Sequence, residues 1–152
     1  MKIEKRMAEL GIILPEAPRP LAAYVPAVSS GNLIFVSGQL CLVNGVLSHT
    51  GRLGREVTLE QGYAAARIAA INSLAIIKQE LGSLDRVKRI VKVVGYVASE
   101  PDFSDQAKVV NGASELLAEV FGDQGRHARS AVGVNALPLS TPVVIEIIVE
   151  FD

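Results

Sequence analysis

Residues 58–82 constrain the fold more than any other stretch of the chain. Thr58 followed by Gln61 is a capping-box signature, and Gly82 is a natural C-terminal cap. Between them Tyr63, Ala66, Ala70, Leu74, Ile77 and Leu81 step by three and four and form one apolar face. Ile68, Ile71 and Ala75 widen that arc. The spacing predicts a long helix ending near Leu81 and buried over a wide face. Such a helix needs a sheet or another helix to cover it.

The flanking segments supply both. Ala22 to Val28 is a short strand candidate, Ser29-Ser30-Gly31-Asn32 a turn, and Leu33-Ile34-Phe35-Val36 a strand ending at Ser37-Gly38. Asn44-Gly45, between Cys41-Leu42-Val43 and Val46-Leu47, is a hairpin signal. Residues 48–56 are polar, with two glycines, and are expected to form an exposed loop. Val87 to Ala98 is β-branched and extended. Asp102 is the expected N-cap of a second helix, with Val109, Ala113, Leu116 and Val120 on its buried face and Gly122 closing it. Ala128 to Leu137 and Val143 to Phe151 are the last two strands, joined by a turn over Pro138 to Pro142. At the start, Ile3 to Leu10 suits a short helix, and Pro15, Pro18 and Pro20 forbid regular structure. The expected architecture is α+β, with both main helices on one sheet face. Residues 1–20 form an N-terminal extension and 21–152 a single domain. The other sheet face also needs cover, which points to self-association.

Composition narrows the function. At 152 residues, 49% hydrophobic and 20% charged, the chain is long and apolar enough for one packed domain and not for disorder. A net charge of −1 and 5% aromatic residues argue against a nucleic-acid surface. The N-terminus has no signal-peptide pattern, and no run approaches the ~20 apolar residues that span a bilayer, so no membrane association is expected. The single cysteine, Cys41, excludes a disulfide framework within the chain and leaves the reduced cytoplasm as the expected location. No P-loop, GxGxxG, GxSxG or HExxH occurs.

Arg129 is the most informative residue. It alternates onto one strand face with Ala131, Gly133 and Asn135, so its guanidinium has room beside it for a small ligand. From the strand alone, a salt bridge to a carboxylate of the same chain is the more ordinary use. Glu146 interrupts the apolar run Val143–Val149 and needs a partner. It either orients a water or protonated group, or pairs with Arg129, or faces solvent beside Glu150. Tyr24 lines a cleft or sits half-buried in the core. Cys41 reads as a small hydrophobe rather than a nucleophile. His49 and His127 lie in loops, lack metal-pair spacing and read as surface residues. Asn111 either hydrogen-bonds across an interface or is solvated.

Tyr24-Val25-Pro26-Ala27-Val28-Ser29-Ser30-Gly31-Asn32-Leu33-Ile34-Phe35-Val36-Ser37-Gly38-Gln39 resembles the N-terminal signature of the YjgF/RidA family, the reactive-intermediate (enamine/imine) deaminases also called the endoribonuclease L-PSP family. Ala128-Arg129-Ser130-Ala131-Val132-Gly133-Val134, then Leu137-Pro138 and an acid in the last strand, resembles its C-terminal signature. Gly82 to Val87 fits the central segment. The resemblance implies a chorismate-mutase-like fold and a homotrimer with three sites between subunits. It further implies hydrolysis of a 2-imino acid, formed from its enamine, to a 2-keto acid and ammonia, without metal or cofactor. By position, Arg129 would bind the substrate carboxylate, Glu146 would orient water and Tyr24 would pack on the substrate. Ser37 and Gly38 would line the pocket, Ala131 would offer its carbonyl, and Asn111 would be a weaker member. Non-catalytic binding of a small carboxylate, or a chaperone-like role, is the alternative; ribonuclease activity is a third. The chain departs from the short deaminases in its extension through Pro20, in residues 99–108 and in Leu139 to Pro142. It also has Ala131 where cysteine is frequent, and Cys41 where proline is common.

Overall fold

The computed structural model describes residues 2–20 and 22–152. Among the described residues ten elements order the chain: helix α1 (Lys2–Glu9), strands β1 (Ala27–Ser30) and β2 (Leu33–Gln39), a two-stranded ribbon β3 (Leu42–Val43) and β4 (Val46–Leu47), helix α2 (Leu59–Leu81), strand β5 (Val87–Ala98), helix α3 (Gln106–Phe121), and strands β6 (Ala128–Val134) and β7 (Val143–Phe151), with short 3-10 turns between some of them, the last over Pro138–Ser140. The main sheet runs β1-β2-β7-β5-β6. Its pairs are antiparallel except β5 with β6, which is parallel, so the sheet is mixed.

The capping box forms as expected. Thr58 Oγ1 accepts from the Gln61 N–H, and the Gln61 side chain accepts from the Thr58 N–H. Such a cap stabilises a helix by about 1 kcal/mol. Gly82 closes α2, its N–H donating to the Lys78 carbonyl at a φ of 83° that favours glycine. Ala66, Ala70, Leu74 and Ile77 of α2 meet Val109, Ala113 and Leu116 of α3 and Ile34, Val93, Val97, Ile145 and Ile147 of the sheet in one core. Gly112 lets the two helices touch: a Cβ there would lie 2.0 Å from the Tyr63 carbonyl oxygen.

Several boundaries differ from the sequence expectation. The first strand begins at Ala27, not Ala22, and includes Ser29 and Ser30, so the turn is only Gly31-Asn32. Ser30 pairs with Leu33, and Gly31 takes the positive φ that a two-residue hairpin requires. The second helix starts at Gln106 after Asp105, whose side chain makes no capping bond, and Asp102 lies in a preceding turn. The strand carrying Arg129 ends at Val134, short of Leu137. The loop 48–56 is not wholly exposed: Leu53 is fully buried and bridges to Val57 and Ser99. Leu21, the first residue of the expected domain 21–152, lies outside the described residues.

A third helix, α1, docks beside α3. Its Met7 enters the core, the Lys2 and Ile3 N–H groups donate to the Asp85 carboxylate, and Arg6 Nε donates to the Glu119 carbonyl. Those backbone bonds hold the Asp85 carboxyl below its ordinary range. Among the described residues no helix is long and apolar enough to cross a membrane.

The two sheet faces differ. The helix side holds the buried core and opens only toward the edge strand β6. The opposite side leaves Val28 54%, Phe35 43% and Val132 41% exposed, with Val94, Val144 and Ile148 only partly covered. Two helices cannot cover two faces of one sheet.

Candidate functional site

Two clusters gather the predicted residues. The first forms where β6 passes α3. Arg129 pairs in register with Val93, which is fully buried, so its side chain points to the helix face of the sheet. There Arg129 Nη1 donates to Asn111 Oδ1 at 2.7 Å and to Ser114 Oγ at 3.2 Å. Asn111 and Ser114 are three apart on α3 and therefore share a face. Ser114 Oγ lies 2.8 Å from His127 Nε2, and His127 Nδ1 lies 2.6 Å from the Gly125 carbonyl. Burial, reinforced by the Arg129 charge and opposed by the Gly125 bond, pushes the His127 imidazole below its ordinary pKa. His127 is thus no free surface residue, as its loop position suggested. Its partner Ser114 was not singled out from the sequence; their 13-residue separation across a turn leaves no periodic signal.

No carboxylate of the described residues pairs with Arg129: the ion pairs lie elsewhere, and its partners are a neutral amide and a hydroxyl. Nε and Nη2 have no protein partner among the described residues. They are the pair of donors that grip a carboxylate side-on. Ser114, Ala118, Gly125, Arg126, His127 and Arg129 line a shallow depression open to solvent. Ala131 continues the same strand face, partly buried against the core.

The second cluster lies on the open face. Val36 pairs with Ile147 and Gln39 with Ile145, so Ser37 and Gly38 together stand opposite Glu146 in a β-bulge. A Cβ at Gly38 would lie 2.7 Å from Val144 Cγ1, so glycine is required for this approach. Ser37 Oγ donates to the Val25 carbonyl and its N–H to the Pro26 carbonyl, tying the bulge to the segment that carries Tyr24. Glu146 sits between buried Ile145 and Ile147 and so projects to the open face, where Tyr96 Oη donates to its Oε1 at 2.9 Å. That bond, then burial and the carboxylate charge, raise the Tyr96 pKa, so the phenol keeps its proton. Tyr96 is a site neighbour that sequence reasoning missed. Its cross-strand diagonal to Glu146 exists only once β5 and β7 are in register. Tyr24 is 45% exposed, not a core residue. It lines a notch with Gly38 and Gln39, and Pro18, Arg19 and Pro20 of the N-terminal extension wall the other side.

The clusters do not meet within one chain. Strand β5 separates β6 from β7, a gap of about 10 Å at ordinary strand spacing, and the two side chains project to opposite faces. An Arg129–Glu146 pair within the chain is excluded. Cys41 is fully buried, 3.5 Å from Thr141 Oγ1, as expected of a small core side chain. Among the described residues no three His, Cys, Asp or Glu side chains gather as a metal-ligand set.

Comparison with known proteins decides the family. The family described as "YjgF/chorismate_mutase-like, putative endoribonuclease" matches residues 4–151. The chain belongs to this YjgF family. Protein TCP17 of Trypanosoma cruzi is 44% identical over 154 residues, covering 99% of this chain and 95% of its own. The crystal structure of Atu1372 from Agrobacterium tumefaciens superposes with a TM-score of 0.92 at 46% identity, covering 99% of this chain and 92% of that one. RidA from an Antarctic Psychrobacter superposes with a TM-score of 0.63 at 31% identity, covering 90% and 94%. The YjgF fold is therefore shared with RidA, while the detailed geometry stands nearer the Agrobacterium protein.

Proposed function

We propose that the chain is a hydrolytic deaminase of 2-imino acids and their enamine tautomers, acting in a homotrimer whose sites lie between subunits. One observation carries this reading: a partly buried guanidinium, fixed through Nη1 by neutral partners and with Nε and Nη2 unused by any described residue, is a carboxylate grip without a carboxylate. The apolar open face supports assembly, because Phe35, Val28 and Val132, each still about half exposed, would each contribute about 1 kcal/mol on burial of the remainder. Assembly would also bring the Arg129 half of one subunit to the Glu146 half of its neighbour.

In such a site Arg129 holds the substrate carboxylate side-on, with Asn111 and Ser114 fixing the guanidinium. Glu146, oriented through Oε1 by Tyr96, accepts a hydrogen bond from water and aims it at the C=N carbon. Water adds across that bond, a proton moves to nitrogen, and the carbinolamine collapses to keto acid and ammonia. Tyr24 packs on the substrate, Ser37 and Gly38 line the pocket at the bulge, and the Ala131 carbonyl supplies a polar contact. An imine is already electrophilic, so positioning supplies most of the catalysis, and no bound metal or cofactor is called for. The net charge of −1 and sparse aromatics argue against RNA as the substrate.

The test is ammonia and keto-acid release from 2-imino acids generated in situ by an amino-acid oxidase. Wild type should accelerate release and Arg129→Ala should not. Carboxylate binding without acceleration would assign the trimer to ligand binding alone. Equal activity in both proteins would overturn the site.

A further inference from the structure

The hydrogen bonds around Arg129 have only one consistent direction when His127 is neutral. The Gly125 carbonyl can only accept, so His127 Nδ1 carries the proton at the 2.6 Å contact. Nε2 is then a bare acceptor, and the Ser114 hydroxyl must donate to it across 2.8 Å. With its hydrogen committed, Ser114 Oγ turns a lone pair toward Arg129 Nη1 at 3.2 Å. The chain runs Arg129 to Ser114 to His127 to Gly125, each group donating to the next. We infer that Ser114 and His127 are positioning residues for Arg129, and that a carboxylate binding at Arg129 is coupled to proton uptake at His127. This rests on Arg129 being the carboxylate grip proposed above.

The coupling follows from the charges present. From β6, Arg129 faces the imidazole network with an uncompensated positive charge. Among the described residues of α3 the Ser114 hydroxyl is the group that bonds it; the acids of that helix are engaged toward α2, Glu115 by Tyr63 and Glu119 by Arg67. Beside it, exposed Arg126 pairs with Asp123 at 3.6 Å. A proton on His127 therefore meets the repulsion of Arg129 while the site is empty. A bound carboxylate cancels that repulsion, and the protonated imidazole then adds attraction for the anion. By reciprocity, acid strengthens carboxylate binding to the same extent that carboxylate favours the proton. Ser114 can hold Arg129 in both states, since its oxygen can accept from both His127 Nε2–H and Arg129 once its own hydrogen turns away.

The experiment is calorimetric binding of 2-oxobutanoate to the full chain at several pH values, in buffers of different ionisation enthalpy. Wild type should take up a fraction of a proton on binding, and its affinity should rise several-fold from about pH 8 to about pH 5.5, below the tenfold per pH unit that one group allows. His127→Gln keeps an acceptor for Ser114 but cannot titrate. Whatever its affinity, it should show neither proton uptake nor the rise toward acid pH. His127→Ala and Ser114→Ala, which break the relay, should bind more weakly at every pH. Proton uptake unchanged in His127→Gln would overturn the inference. Absence of 2-oxobutanoate binding by wild type would instead sink the reading of Arg129 as the grip. Nitrogen NMR of the ligand-free protein tests the relay separately: the Nδ1–H tautomer of His127 is expected, and the Nε2–H tautomer would refute it.

Discussion

The Arg129 cluster and the Glu146 cluster are built in opposite ways. Arg129 stands on the edge strand β6 and is held from above by one helix, through Asn111 and Ser114. Glu146 stands on the central strand β7 and is held within the sheet, by a bulge on one neighbour and Tyr96 on the other. Among the described residues one half presents a cation with no anion, the other an anion with no cation, and the sheet divides them. The exposed apolar residues lie on the face that carries Glu146, so in the proposed trimer one surface would both drive association and bring the two halves together.

Changing the cation should have the largest effect. Arg129→Ala should cost about 2–5 kcal/mol of carboxylate binding, the usual loss when one partner of a desolvated charge pair is truncated, read as KM or as ligand Kd. Glu146→Gln should lower kcat about 100-fold, the lower range for a positioned acid or base, with KM little changed. If both proteins lost only KM, the division of labour between the halves would be wrong.

Mixing these two inactive proteins, with subunit exchange, tests whether the halves come from different chains. A site between subunits draws its Arg129 and its Glu146 separately, so about a quarter of sites should regain both at equal mixing. Activity that never rises above the sum of the two variants would place the whole site in one chain. Tyr96→Phe should be milder, lowering kcat several-fold through a less well oriented Glu146, and it should leave carboxylate affinity alone.

The smallest expected effect is on stability against acid. The unfolded chain protonates His127 near pH 6.5, whereas the folded imidazole resists through burial and the Arg129 charge. Its contribution is complete above that range and is lost as pH falls toward the lowered folded value. Chemical denaturation across pH should therefore show a shallower acid loss for His127→Gln than for wild type. An identical slope would mean that the imidazole titrates alike in both states.

Local chemistry wrote much of the fold in plain view. The capping box at Thr58 and Gln61, the caps at Gly82 and Gly122 and the buried stripes of α2 and α3 depend on residues within a few positions of one another. Boundaries failed where local signals competed. Ser29 and Ser30 suit a turn by type, yet pairing with Leu33 and Ile34 draws them into β1. Asp102 suits an N-cap, yet Pro101-Asp102 is spent on a turn and the helix waits until Gln106. Arg129 and Glu146 stood out as candidates from the residues themselves, because charge inside an apolar strand is visible in one dimension; Tyr24 and Asn111 were singled out with a plainer alternative beside each, and Ser37, Gly38 and Ala131 entered through the family resemblance alone.

Their partners were not legible. Ser114 beside His127, Tyr96 across from Glu146 and Arg19 beside Tyr24 are brought together by turns, strand register and the path of a proline-rich segment. Short-range periodicity and the cost of burying charge were enough to mark which segments are helical or extended and which side chains must seek partners. That Arg129 and Glu146 point to opposite faces follows from how β5, β6 and β7 align, because strand register is set by contacts between residues far apart in the chain.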